Sequence, residues 1–159
     1  MTDPAALYAQ LVATFNQGKL QQAQVLATQL LPFAPRHAGV YNIAGMICLG
    51  LQQFPQAVAH LRRASELDPS RADFATMFAQ ALLASHLPEP ARQQADRAMA
   101  LEPQDPTTLD VLGVIYVQAQ AHEQAVAAFR QAVARAPTSA AYRLNLATAL
   151  TTLGDVDAA

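Results

Sequence analysis

Apolar side chains recur along this chain at spacings of three and four residues, and no stretch alternates strictly between apolar and polar positions. That periodicity gives each segment one apolar stripe on a helix and predicts no strands. Helices are expected over residues 5–17, 20–32, 38–51, 54–67, 72–85, 88–101, 106–119, 122–135 and 140–153. Asp3-Pro4 and Asp105-Pro106 each place a capping carboxylate ahead of a proline at the first helical position. Pro55, Pro88 and Pro90 fall in first turns, where a missing N–H has no intrahelical partner to lose.

The stops are more regular than the starts. Pro35, Pro69, Pro103 and Pro137 stand 34 residues apart each time, and proline cannot continue a helix because it lacks an N–H and clashes with the preceding turn. An interval held so strictly means that one unit is copied along the chain. Twelve residues before each proline stands an alanine, Ala23, Ala57, Ala91 and Ala125, and five before stand Leu30, Ala64, Ala98 and Ala132. Twenty-four before, the residues are Leu11, Gly45, Ala79 and Gly113. Small residues at fixed slots mark helix backbones that approach too closely for a larger side chain.

The fourth copy carries the whole pattern: Leu109, Leu112, Gly113, Tyr116, Ala125, Phe129, Ala132 and Pro137. This resembles the tetratricopeptide repeat, over essentially the entire chain. The resemblance implies an all-α fold, a right-handed α-solenoid of antiparallel helix pairs, with repeats over 4–37, 38–71, 72–105, 106–139 and a partial one over 140–159. The departures are Leu109 where the family often has tryptophan and Cys48 and Leu82 where it has tyrosine. The first copy keeps only Gly18, Ala23 and Pro35, as an end cap would. Asn145-Leu146-Ala147, Gly154-Asp155 and Ala158-Ala159 match the first helix, turn and second-helix opening of a fifth copy, and the expectation is an N-terminal piece of a longer protein. Leu146, Leu150 and Leu153 are then expected to lack full cover, which makes self-association at this end an expectation too.

Composition changes this picture little. Only 14% of the 159 residues are charged and 52% are hydrophobic, a share inflated by alanine, the best helix former. A net charge of −2 and a sequence pI near 6.0 argue against a nucleic-acid partner, which needs clustered cations. Nine of the ten basic residues are arginine, spread mainly through the second helices. There is one cysteine, so no internal disulfide forms; the opening Met1-Thr2-Asp3-Pro4 shows no basic stretch followed by an apolar one, and nowhere do eighteen apolar residues run uninterrupted. The expectation is a cytoplasmic protein without a membrane partner.

Function is then sought on the first helices, whose one face carries Tyr8, Val12 and Phe15; Asn42, Met46 and Leu49; Thr76, Gln80 and Leu83; Asp110, Val114 and Val117; and Leu144, Thr148 and Thr151. The opposite face, for example Leu109, Leu112, Gly113 and Tyr116, is needed for packing. The resemblance implies that the first face lines a concave groove. The candidate binding residues are Tyr8, Val12, Phe15, Asn42, Met46, Leu49, Thr76, Met77, Gln80, Leu83, Asp110, Val114, Val117 and Asn145. No Lys or Arg is among them, which argues against the family's carboxylate clamp for chaperone tails. The asparagine ladder of its sugar-transferring relatives would occupy Ala9, Ile43, Met77, Val111 and Asn145, so only Asn145 matches. What remains is an apolar face suited to an amphipathic helix or extended peptide, with Met46 and Met77 adaptable in shape or simply packed against the next helix.

Chemistry finds no constellation. Cys48 falls in a packing slot, and His37, His60, His86 and His122 have no metal-ligand spacing such as H-E-x-x-H. Asp73 and Asp110 could orient a basic group on a ligand, and Asp73 could equally cap its helix. The expectation is a protein-interaction scaffold with no catalysis, cofactor or metal of its own. The alternative is the recognition arm of a larger enzyme of glycosyltransferase, sulfotransferase or oxygenase type. A pentatricopeptide-like RNA binder would need a 35-residue period and a basic groove, which this chain lacks.

Overall fold

A computed structural model describes residues 3–158, and all of their regular structure is helical. The helices are α1 (Pro4–Asn16), α2 (Leu20–Leu30), α3 (Ala38–Gly50), α4 (Phe54–Leu67), α5 (Ala72–Ala84), α6 (Pro88–Ala100), α7 (Pro106–Gln118), α8 (His122–Arg135) and α9 (Ala140–Ala158). The protein is an all-α helical repeat solenoid. Its backbone falls into two compact units, Met1–Pro69 and Ser70–Ala159. In the first, α1 pairs with α2 and α3 with α4, and α2 and α1 both pack on α3. In the second, α5 pairs with α6, α7 with α8 and α8 with α9, while α7 packs on α5, α6 and α9.

The turn inside each pair is one device used four times. Gly18, Gln52, His86 and Gln120 stand 34 residues apart and all have left-handed backbone, with φ of 72°, 59°, 60° and 59°. After each, an N–H reaches back to the carbonyl five residues earlier: Lys19 to Thr14, Gln53 to Cys48, Leu87 to Leu82 and Ala121 to Tyr116, at 2.8–3.2 Å. This is the Schellman closure, which satisfies last-turn carbonyls and turns the chain toward the next helix. Glycine is the residue that enters this region without penalty, and only the first copy has it. Gln120→Gly is therefore expected to stabilise the protein by about 0.5–1 kcal/mol, after the added flexibility of the unfolded chain is subtracted. Chemical denaturation midpoints check this, and a lower midpoint would show that Gln120 is held there by contacts worth more than the strain.

The caps at the other ends follow the sequence. The Asp3 carboxylate accepts from the Ala5 N–H at 3.0 Å, and Asp105 accepts from both the N–H and hydroxyl of Thr108 at 2.8 Å. Those bonds hold the Asp105 carboxyl below its usual range. Asp73 does not cap α5; the cap position is Arg71, and the Asp73 carboxylate takes a two-pronged ion pair from it. At α3 the cap is His37, whose Nδ1 accepts from the Val40 N–H at 3.2 Å.

Small slots become the contacts between helices. Ala23, Ala57, Ala91 and Ala125 are completely buried, as are Ala64, Ala98 and Ala132. A Cβ added at Gly45 would collide with Leu61, and one at Gly113 with the Phe129 ring. Leu109, Leu112 and Tyr116 form the packing face of α7. The Tyr116 phenol also donates to Asp96 of α6 at 2.9 Å, and Arg92 ties Asp96 to Glu89.

Burial, and then that bond to Asp96, pushes the Tyr116 phenol above its ordinary value. A phenol raised on folding contributes its full stability below the unfolded value of about 10 and loses it as pH climbs beyond. Thermal melts should therefore fall between pH 8 and roughly 11, and Tyr116→Phe should fall less over that interval. Parallel declines for the two proteins would remove Tyr116 as the cause.

Two expectations fail. The helix over 20–32 ends at Leu30 and continues as a 3-10 turn over Leu31–Phe33. Pro32 has no N–H for the Thr28 carbonyl, so the ladder stops and the chain tightens, leaving Phe33 65% exposed. The turn expected at Gly154 is absent, and α9 runs through it to Ala158. In the other copies a second helix packs back and stabilises the turn. Along α9 the described residues after Gly154 keep the helical hydrogen bonding in place of that turn.

Candidate functional site

On the first helices of the Met1–Pro69 unit, Tyr8, Val12 and Phe15 of α1 and Asn42, Met46 and Leu49 of α3 are all half-buried. Tyr8 and Phe15 rest against the core made by Leu7, Leu11, Ala23, Leu30 and Ile47. The Asn42 amide donates to the Met46 sulfur at 3.4 Å, while its oxygen is shielded from solvent and has no partner.

In the Ser70–Ala159 unit the candidate residues divide. Val114 and Val117 of α7 are 38% and 37% exposed and, with Asn145 and Thr148 of α9, line a cleft of about 180 Å³ whose floor is Phe129. Asp110 accepts from the Asn145 amide at 2.8 Å, so these two polar groups are already bonded to one another. Leu144 is 66% exposed, and the Thr148 and Thr151 hydroxyls donate to carbonyls one turn back. Leu150 is 40% exposed, and Leu146 and Leu153 are half-buried. On α5, Gln80 is exposed and Met77 and Leu83 are half-buried. Thr76 is a correction: it is 1% exposed and its hydroxyl donates to the Ala72 carbonyl at 2.8 Å, so it presents nothing to a ligand. That bond back along the helix lets a polar residue sit in a packed position.

Cys48 is packed in the core and His60 is half-buried. Burial pushes the Cys48 thiol up, with a bond to Gln24 acting against this, so it is a poor thiolate. His60 is held below its usual value by burial. Among the described residues no group of three His, Cys, Asp or Glu side chains is placed to share a metal ion. No described helix is long and apolar enough to cross a membrane.

Sequence profiles of the tetratricopeptide repeat match residues 49–110 and 107–139, together more than half of the chain. The chain belongs to the tetratricopeptide repeat family. No curated protein matches this repeat protein by sequence. Among solved structures, a thermophilic tetratricopeptide repeat protein from Thermus thermophilus superposes with a TM-score of 0.79 at 22% identity, covering 94% of this chain and 82% of the other. YrrB, described as having an unusual peptide-binding site, gives 0.71 at 16% identity, over 96% and 78%. The first such domain of Spaghetti, bound to an HSP90 peptide, gives 0.65 at 17% identity, over 74% and 93%. At these identities the likeness is one of fold. The family is in general a non-catalytic interaction module.

Sequence reasoning missed two features of this repeat protein. One is the aromatic floor of the cleft, because Phe129 also serves as the packing partner of Gly113 and its slot reads as core. The other is a notch beside the 3-10 turn, for which Pro32 inside an expected helix was the available signal.

Proposed function

We propose that this repeat protein is a scaffold that binds an amphipathic helix or extended apolar peptide on its first-helix faces and carries out no chemistry itself. The observation that supports this best is the α7–α9 cleft, where two valines more than a third exposed stand over an aromatic floor. Isolated exposed valines are ordinary, but a walled apolar cleft offers a side chain more contact than open surface does. The bonded Asp110–Asn145 pair at its edge supplies a polar mark for orientation. Two structural neighbours are described with peptides or a peptide-binding site, which supports the same class of partner.

The test is to pan the whole chain against a library of amphipathic helical peptides. Enriched sequences should carry apolar residues three and four apart and bind saturably when titrated as single peptides. A library that yields no enrichment over a blank surface would end this reading.

A further inference from the structure

The Met1–Pro69 unit carries an open notch of about 600 Å³, lined by the starts of α1 and α3 and by the 3-10 turn. Sites for small ligands commonly have ~300–1,000 Å³, so the space is large enough for one. Its walls are apolar and include Pro4, Ala5, Leu30, Phe33 and Val40. Three polar side chains, Tyr8, Arg36 and His37, complete the lining.

All three are donors. Because Nδ1 of His37 accepts the Val40 N–H, the neutral ring carries its proton on Nε2 and donates from there. Its ring lies 4.9 Å from that of Tyr8, centroid to centroid. Among the described residues no ion pair engages Arg36, and no carboxylate lines the notch. Asp3, the nearest carboxylate in sequence, caps the Ala5 N–H instead.

The fold alone does not make such a place. Two periods further on, Ala72, Asp73, Pro103, Gln104, Asp105 and Thr108 occupy the slots of Pro4, Ala5, Pro35, Arg36, His37 and Val40, and they line the corresponding notch. That one is smaller, about 350 Å³, and carries two carboxylates. The first copy has Ala5 and His37 where that one has Asp73 and Asp105, has Arg36 where it has Gln104, and ends α2 early, ahead of Pro32, so that Phe33 becomes a wall.

We propose that this notch is a binding site for a small apolar carboxylate, an aliphatic or aromatic acid. Its hydrocarbon part lies against Leu30, Phe33 and Val40, and its carboxylate meets Arg36, the His37 Nε2–H and the Tyr8 hydroxyl. An apolar notch takes part of a hydrocarbon from water, and an arginine with donors and no competing acid selects a single negative charge. The space is of the size small-ligand sites have, and its three donors share one lining, so the occupant assigned is a small molecule. This site is separate from the α7–α9 cleft and stands or falls without it.

Calorimetric titration of the whole chain with decanoate, decanol, decylamine and a short peptide ending in leucine tests the assignment. Decanoate should bind saturably, one per chain, with decanol and decylamine weaker by about tenfold or more. Arg36→Gln should weaken decanoate by about tenfold, the worth of a charged hydrogen bond. Ala5→Trp, which fills the notch from an exposed position, should abolish the heat. Phe33→Ser, at a residue whose exposure leaves folding intact, should weaken it also. The proposal is overturned if decanoate gives no saturable binding, if decanol binds as well, if Phe33→Ser and Ala5→Trp both leave the affinity unchanged, or if the peptide binds more tightly than decanoate.

Discussion

Gly113→Leu is expected to lower stability by about 1–3 kcal/mol, and adding Phe129→Ala should not produce the sum of the two losses. A Cβ at position 113 would point into the Phe129 ring, which is 2% exposed and held on α8 against the α7 backbone. The ring must be pushed out of its packed place, the helices must separate, or the leucine must leave its preferred rotamer. Phe129→Ala alone removes a buried aromatic and should cost about 3–5 kcal/mol, much of it for the cavity left behind. Leucine at 113 then occupies part of that cavity, and the double variant should be more stable than additivity allows by about 0.5–3 kcal/mol. Denaturant unfolding of the four proteins gives the coupling directly. Strict additivity would mean that Gly113 is not small on account of Phe129.

The array itself was legible because its spacing depends on residues with one structural meaning. Proline ends a helix wherever it sits outside the first turn, and alanine at a close backbone approach is replaceable only by something smaller. Hence the helix positions and the buried slots of Ala23, Ala57, Ala91 and Ala125 could be read by register alone. The turns were less legible for a physical reason. Their left-handed residue is glycine only at Gly18, and Gln52, His86 and Gln120 reach the same conformation because packing of the pair outweighs a small local penalty. Gly154 shows the converse: it has the residue suited to the turn, and α9 runs straight through it.

The faces were legible as faces but not residue by residue. Helical spacing places Thr76 beside Gln80 and Leu83, yet a single hydrogen bond to Ala72 lets that threonine be packed while Gln80 stays in water. Asp110 and Asn145 look in sequence like two free polar contacts, and pairing across α7 and α9 turns them into one. Spacing within a helix carries no information on a bond between residues 35 apart.

Val114→Glu should reduce the affinity of selected apolar peptides by more than about a hundredfold while changing stability by no more than about 0.5 kcal/mol. The two effects separate because position 114 is open to water in the free chain, so a carboxylate there stays hydrated until a partner covers it. Covering it strips that water with no cation in the cleft to compensate. One small cost to folding is foreseeable, since Asp110 stands one turn earlier on α7 and like charges at that spacing repel by about 0.2–0.5 kcal/mol. Val114→Lys reverses this term, because a lysine there faces Asp110 with opposite charge, yet it should weaken apolar peptides just as Val114→Glu does. Leu49→Glu asks the same question of α3 in the other unit, with a larger share of its effect falling on stability because Leu49 is half-buried. Circular dichroism melts run beside peptide titrations divide the two contributions. If both charges at position 114 leave the peptides bound as tightly as before, the α7–α9 cleft is not where they sit.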